Sequence, residues 1–373
     1  MAPRCRQFVN LKLLTLVLSV LLLSKGCNAF IISENGALRR LRASHPSLRT
    51  MENEEAEIQI SIKSPPAILS DDFANEEWCR MDAVKNVRDL ASVRGAAIRP
   101  GRILRTGLLS NASPNDVGKL TGQLGLRTVI DLRSPRELGD DARLRGAPIF
   151  DGFQQVDWND PSCPSGECEL ADAGKQRYFI SLIDEKKYKW GAIRKLRKRE
   201  KAMVLLYLAA GIASKRAFAR AKSVVLGRIN EGGLSMLNEL LMLYSGKGVA
   251  ECLKIIATRE RHPVAIHCTA GKDRTGFVSM LVLKVLGAGD GEIVADYTLS
   301  DSAYRDLNDR KAMVGALQQE DLDPDKFLCA PAYVMEDTLR CLETQYGSVD
   351  GYLDSIGFDE KWRSKLRKAL TDP

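Results

Sequence analysis

Thirteen residues, Val264-Ala265-Ile266-His267-Cys268-Thr269-Ala270-Gly271-Lys272-Asp273-Arg274-Thr275-Gly276, gather the side chains whose types and spacing bear most directly on chemistry. A short apolar run delivers Cys268, five residues intervene, and Arg274 follows where a helix is predicted to begin. Phosphate-ester chemistry at a thiolate requires this spacing. Successive peptide N–H groups of a tight loop form an anion-binding concavity, and the positive end of the next helix adds to its field. Thr269, Ala270, Gly271 and Lys272 are the expected phosphate-binding loop, and the planar guanidinium of Arg274 can hold two phosphate oxygens at once. The same field favours the thiolate of Cys268 over the thiol and so prepares a nucleophile.

Supporting roles fall to neighbours. Side chains alternate along a strand, so His267 points away from Cys268; it is expected to steady the loop by hydrogen bonds rather than to act as a base. Thr275 is placed to donate to the Cys268 sulfur and stabilise it as a leaving group, with a helix cap as the plainer reading. Thr128-Val129-Ile130-Asp131-Leu132-Arg133 reads as a buried β-branched strand. Asp131 and Arg133 emerge at its end, where ligands bind in an open α/β sheet. A local ion pair and a direct substrate contact are equally open to them.

The surrounding chain sets limits. Its 373 residues, 45% hydrophobic and 28% charged, suffice for one catalytic domain and a presequence, and the net charge of +7 suits anionic substrates. Nine cysteines, with Cys5 and Cys27 near the N-terminus, do not make a disulfide framework. Cys163 and Cys168 have no second pair at metal-ligand spacing, so no metal site is expected. Dinucleotide fingerprint, Walker loop and internal repeats are all missing from the sequence, and no cofactor is implied.

The N-terminus reads as an address. Arg4, Arg6 and Lys12, the leucine-rich run from Leu13 to Leu23 and the small residues ending at Ala29 predict a signal peptide over 1–29. Residues 30–75 are polar, contain Pro65-Pro66 and read as a disordered linker. Within it, Arg39-Arg40-Leu41-Arg42 precedes the acidic stretch Glu52–Glu57. That arrangement resembles the RxLR-type leader of secreted oomycete effectors, which implies secretion and delivery into host cells. Ala29-Phe30 and its Arg/Ser-bearing sequel instead resemble the plastid leader of algae with secondary plastids. A reactive thiolate is readily oxidised, so a reducing destination is expected under either reading.

From residue 76 to 373 the pattern is that of one α/β domain. Asn111-Ala112-Ser113-Pro114 predicts a helix running to Leu124, capped by Ser113 and ended by Gly125. Residues 176–257 read as mostly helical, with a basic insertion over about 176–232 that includes Lys186, Lys187, Lys189, Arg194, Lys195 and Arg197–Arg199. This insertion is either a solvated helix face or a basic lid that covers the site or meets an anionic membrane. Nucleic-acid binding is not expected, because the block lacks interleaved aromatics. Further helices are predicted at 235–244, 249–258, 277–286, 293–299 and within 335–370.

Taken together, Asn86-Val87-Arg88-Asp89-Leu90, Arg99-Pro100-Gly101-Arg102, Asp131-Leu132-Arg133-Ser134, the His-Cys-Thr-Ala-Gly-Lys-Asp-Arg-Thr-Gly loop and Asp296-Tyr297-Thr298-Leu299-Ser300 resemble the tyrosine phosphatase family that includes the secreted mycobacterial phosphatase B. Ala91-Ser92 departs from it where glycines are usual. The resemblance implies a small, mostly parallel sheet flanked by helices, with a helical lid-like insertion. It implies attack on phosphorus by Cys268, a cysteinyl-phosphate held by Arg274, and no metal. It maps the general acid onto Asp273; Asp157, beside Trp158 on a predicted loop, is the rival. Lys272 adds an ammonium that suits multiply phosphorylated substrates or, equally, serves only to favour the thiolate of Cys268. A phosphorylated protein is thus the expected partner, a phosphoinositide the alternative, and a non-catalytic phosphate-binding effector the reading from another class.

Overall fold

The computed structural model describes residues 80–158, 174–211, 214–304 and 322–372, all within one unit, Ala67–Pro373. The expected signal peptide 1–29, the linker 30–75, and Cys163 and Cys168 lie outside the described residues.

Six strands form one sheet: β1 (Arg88–Asp89), β2 (Ile103–Thr106), β3 (Thr128–Asp131), β4 (Phe153–Asp157), β5 (Lys175–Phe179) and β6 (Val264–His267), in the order β1-β2-β6-β3-β5-β4. Only β1 is antiparallel to its neighbour. Strand β6 lies between β2 and β3, in a register that puts Thr106, His267 and Asp131 side by side. Cys268 therefore emerges at the C-terminal edge of the sheet. All four residues of β6 are buried, as a parallel strand covered on both faces requires.

The helices are α1 (Pro114–Val117), α2 (Pro135–Asp140), α3 (Glu185–Arg194), α4 (Lys198–Gly211), α5 (Lys215–Tyr244), α6 (Gly246–Ile256), α7 (Asp273–Val285), α8 (Asp290–Thr298), α9 (Pro324–Phe327), α10 (Ala332–Tyr346), α11 (Val349–Ser355) and α12 (Glu360–Thr371). Side-chain alternation splits the sheet residues between two cores. Ile103, Ile130, Val264 and Ile266 join α6, α7, α10 and α11, whereas Leu104, Val129 and Ala265 join Leu109, Leu120, Ile149 and Phe153. Helix α7 is buried nearly all round, which makes it the central helix of the domain.

Three local expectations are corrected. The helix opened by Ser113 has the predicted cap, with Asp116 completing a capping box, but after α1 it widens into a π-helical turn over Gly118–Gln123. Asp116 is also drawn upstream, accepting the backbone N–H groups of Asp82, Ala83 and Val84 at 2.7, 2.9 and 3.1 Å. The stretch opening at 176 is strand β5, so the helical insertion begins only at Glu185. Lys-Gln-Arg-Tyr-Phe looks like a surface segment, yet Arg177 is buried because Asp131 takes its charge and Phe150 and Phe179 flank its guanidinium at 3.6 and 4.5 Å. Asp157 closes edge strand β4 rather than sitting on a loop.

The insertion has a core of its own. Ala192 on α3 and Leu196 just after it, Val204 on α4, and Ala221, Val225, Ile229, Met236 and Leu240 on α5 pack together. Helix α5 breaks at Gly233 (φ 51°, ψ −144°), a backbone conformation glycine supplies without a Cβ penalty.

Candidate active site

The loop from Cys268 to Arg274 is shaped from behind. Gly271 has φ +64°, and a Cβ there would sit 2.2 Å from the Thr106 carbonyl oxygen, so only glycine lets the loop close on β2. Three successive carbonyls are then pinned. The Asn86 amide donates to Ala270 O and Gly271 O, each at 3.0 Å, and Tyr304 donates to Ala270 O at 2.7 Å. Arg105 NH2 donates to Gly271 O at 2.9 Å and to Lys272 O at 3.3 Å. In a planar trans peptide the N–H lies opposite the C=O. Anchoring these carbonyls on the outside therefore turns the N–H groups of Gly271, Lys272 and Asp273 to the inside, as an anion cradle requires. Asp296 holds the anchors in turn, pairing with Arg105 and, at 2.6 Å, with Arg88.

Arg274 is clamped by a residue not anticipated. Its NH1 and NH2 each donate to a different oxygen of Glu137 at 2.6 Å, and NH1 also reaches the Leu132 carbonyl at 3.4 Å. Among the described residues, Nε–H and the second NH2 hydrogen have no partner. They share one edge of the guanidinium and form the side-on pair available to two phosphate oxygens. Glu137 further accepts from Thr269 Oγ1 at 2.6 Å and from the Ser134 N–H at 2.8 Å, so one carboxylate joins the cap of α2, the loop and Arg274. Burial opposes its charge, but Arg274 together with the Thr269 hydroxyl and the Ser134 N–H outweighs burial and brings the carboxyl down to about 2. Arg274 correspondingly titrates above its ordinary range. The Ser-x-x-Glu spacing of Ser134 and Glu137 signals a capping box in the sequence; its reach to Arg274 leaves no local trace.

Asp131 and Arg133 form an ion pair with two bonds, Nε to Oδ1 at 2.9 Å and NH2 to Oδ2 at 2.8 Å. Arg177 adds a contact to Asp131 at 2.6 Å, and Arg133 continues to Asp141 at 2.8 Å. Burial would raise the Asp131 carboxyl, but His267 and then Arg133 hold it well below the usual range. His267 completes the cluster: Nε2 stands 3.3 Å from Asp131, and Nδ1 donates to the Cys268 carbonyl at 3.3 Å. The ring thus helps to position Cys268, and the Asp131–Arg133 pair is committed to the scaffold.

Beyond the loop, Lys272 Nζ is buried and donates to Asp273 Oδ1 at 2.9 Å and to the Cys329 carbonyl at 2.8 Å. Its ammonium is used to hold Asp273. Tyr297 donates to the same Oδ1 at 3.0 Å, so among the described residues Oδ2 is left without a partner at the rim. Asp157 lies three strand spacings from β6, about 14 Å. Only Asp273 is brought to the loop.

Thr275 is the third residue of α7 and not its cap, which is Lys272. Its hydroxyl is buried and has no hydrogen-bond partner among the described residues, so the expected bond to the Cys268 sulfur is not made here, and an unsatisfied buried hydroxyl is costly. Cys268 itself is 2% exposed. From the insertion, Tyr188 on α3 lies within the field of Asp273: burial, with Asp273 assisting, pushes its phenol up to about 12.

The model of the tyrosine phosphatase family matches residues 79–372. A tyrosine-protein phosphatase of Cupriavidus necator is 26% identical over 290 residues, covering 74% of this chain and 84% of that protein. The triple specificity protein phosphatase PtpB of Mycobacterium tuberculosis is 27% identical over 323 residues, covering 76% of this chain and 96% of that protein. A tyrosine-protein phosphatase of Nostoc commune is 36% identical over 122 residues, 31% of this chain and 41% of its own.

Proposed function

The chain belongs to the tyrosine phosphatase family and is a phosphoric monoester hydrolase of that type; from that premise we propose that it dephosphorylates phosphotyrosine on proteins, and phosphoserine and phosphothreonine as well, through a cysteinyl-phosphate. The observation that carries this reading is the inward-facing loop beside an Arg274 whose Nε/NH2 edge is open. The substrate phosphate seats in the cradle, and the Cys268 thiolate attacks phosphorus opposite the leaving oxygen. As the S–P bond forms and the P–O bond breaks, Asp273 gives its proton to the leaving oxygen. Water then attacks phosphorus, Asp273 takes a proton from it, and the S–P electrons return to sulfur, where the Thr275 hydroxyl can donate. Fixed N–H groups and Arg274 supply the charge stabilisation throughout.

A protein substrate is favoured over a phosphoinositide because Lys272, the cation expected to read an extra phosphate, is bonded to Asp273 and the Cys329 carbonyl. The leader supports secretion and work in a reducing compartment, within a host cell or a plastid. The deciding experiment measures phosphate release from phosphotyrosine, phosphoserine and phosphothreonine peptides and from phosphoinositides, under reducing conditions, by wild type and Cys268→Ser. Turnover of the peptides that the variant loses is expected. Lipid turnover alone shifts the reading to phosphoinositides, and tight phosphopeptide binding with no release makes the protein a phosphate-binding effector.

A further inference from the structure

The outer face of α4 has no part in the phosphatase site. Met203, Leu205 and Leu206 are 42%, 44% and 68% exposed, while Val204, Tyr207 and Leu208 pack into the core of the insertion. Ala202, Ala209 and Ala210 are exposed beside them, so the solvent side of this helix is apolar over most of its length. Contiguous apolar surface of this kind is unfavourable in water and marks a contact.

Charge at its ends says with what. Lys198, Arg199 and Lys201 lie at the start of α4, and Lys215, Arg216 and Arg220 on the opening turns of α5; all six are exposed, and none pairs with a carboxylate among the described residues. Between Lys186 and Arg228 the sequence holds fourteen lysines and arginines against one carboxylate, Glu200. The helix has 14 residues, about 21 Å, and among the described residues no helix is long and apolar enough to cross a membrane. An apolar face open to water between two clusters of cations suits an anionic lipid surface, which offers acyl chains to the one and headgroups to the other. A second copy is a poor occupant, since a two-fold contact through this face sets basic ends against basic ends.

We propose that α4 docks on an anionic bilayer surface, with Leu205 and Leu206 inserted at the level of the upper acyl chains and the flanking cations on lipid headgroups. Docking holds the domain at the membrane, so phosphoproteins held at that surface become the preferred substrates. This substrate preference rests on the phosphatase reading; the docking itself does not.

The test is co-sedimentation of the full chain with vesicles of phosphatidylcholine alone and of phosphatidylcholine containing phosphatidylserine, at low and high salt. Each protein is also assayed on a soluble phosphotyrosine peptide. Wild type is expected to bind the anionic vesicles and to release them in high salt. A Leu205→Glu/Leu206→Glu variant is expected to lose roughly tenfold or more in binding. A Lys198→Glu/Arg199→Glu variant should lose a similar factor on anionic vesicles only. Both should turn over the soluble peptide as wild type does, which shows that they fold. Residues 1–79 are present in every protein, so their own lipid affinity is a constant background. Wild-type levels of binding by both variants overturn the proposal, as does a wild type that ignores anionic vesicles. A concentration-dependent dimer that Leu206→Glu dissolves, with no vesicle binding, gives the face to a second copy instead. Vesicle binding without peptide turnover leaves the docking in place and removes the phosphatase reading.

Discussion

At Arg274 one guanidinium is only partly engaged: its end-on nitrogens hold Glu137, and its Nε–H has no partner among the described residues. Glu137→Gln should therefore lower kcat/KM by about tenfold to a hundredfold through a loosened Arg274, a loss steady-state kinetics will read. Stability follows a definite pH course. The Glu137 carboxyl falls from the usual 4.5 to about 2 on folding, so its contribution is complete above about pH 4.5 and is lost as pH drops toward 2. Glu137→Gln should melt below wild type at neutral pH, and the gap should close across that window in a series of thermal scans. The general acid is tested in the same register. Asp273→Asn should slow phenyl phosphate hydrolysis by about a hundredfold while sparing p-nitrophenyl phosphate, whose leaving group needs no proton. Asp157→Asn should match wild type on both, and the reverse pattern would transfer the role to Asp157.

On the scale of elements, the Cys268–Arg274 loop depends on strands and helices distant in sequence. Asn86, just before β1, and Arg105 on β2 hold its carbonyls, while Asp296 on α8 holds the arginines. Asn86→Ala should weaken binding of inorganic phosphate, read by isothermal titration, with a change in unfolding free energy of about 1–3 kcal/mol from the two lost hydrogen bonds, since Tyr304 and Arg105 still hold both carbonyls. Gly271→Ala is more severe, since the added carbon meets the Thr106 carbonyl at 2.2 Å. Loss of both phosphate affinity and turnover is expected there, whereas Gly227→Ala, a position with open space around it, should leave both intact.

Across the whole molecule, the core around α7 and the core of the insertion are separate clusters. The insertion has few large buried side chains, and its α4 leaves leucines in solvent, so its local opening should cost less than global unfolding. Hydrogen exchange should accordingly show amides of α4 and the first half of α5 exchanging well before those of α7. Equal protection throughout would mean that the two cores unfold as one. Phe277, which is fully buried against Tyr352 with ring centroids 6.1 Å apart, anchors the larger core. Phe277→Ala should cost about 3–5 kcal/mol in a denaturant titration.

The amino-acid sequence by itself determined what is local. The Cys268–Arg274 spacing, the buried β6 and β3, the Ser113 cap and the apolar α7 each follow from residue order and periodicity, and together they specify an α/β domain with its reactive loop after a strand. Partners far apart in the chain were decided by the tertiary structure alone. Glu137 reads locally as a capping residue, and Arg177 as a surface cation. Lys272 reads as a phosphate ligand until the carbonyl of Cys329, 57 residues later, receives its ammonium. A charged side chain takes the role of whatever compensates its burial, and that compensation is supplied across the fold, where no spacing in the sequence can record it.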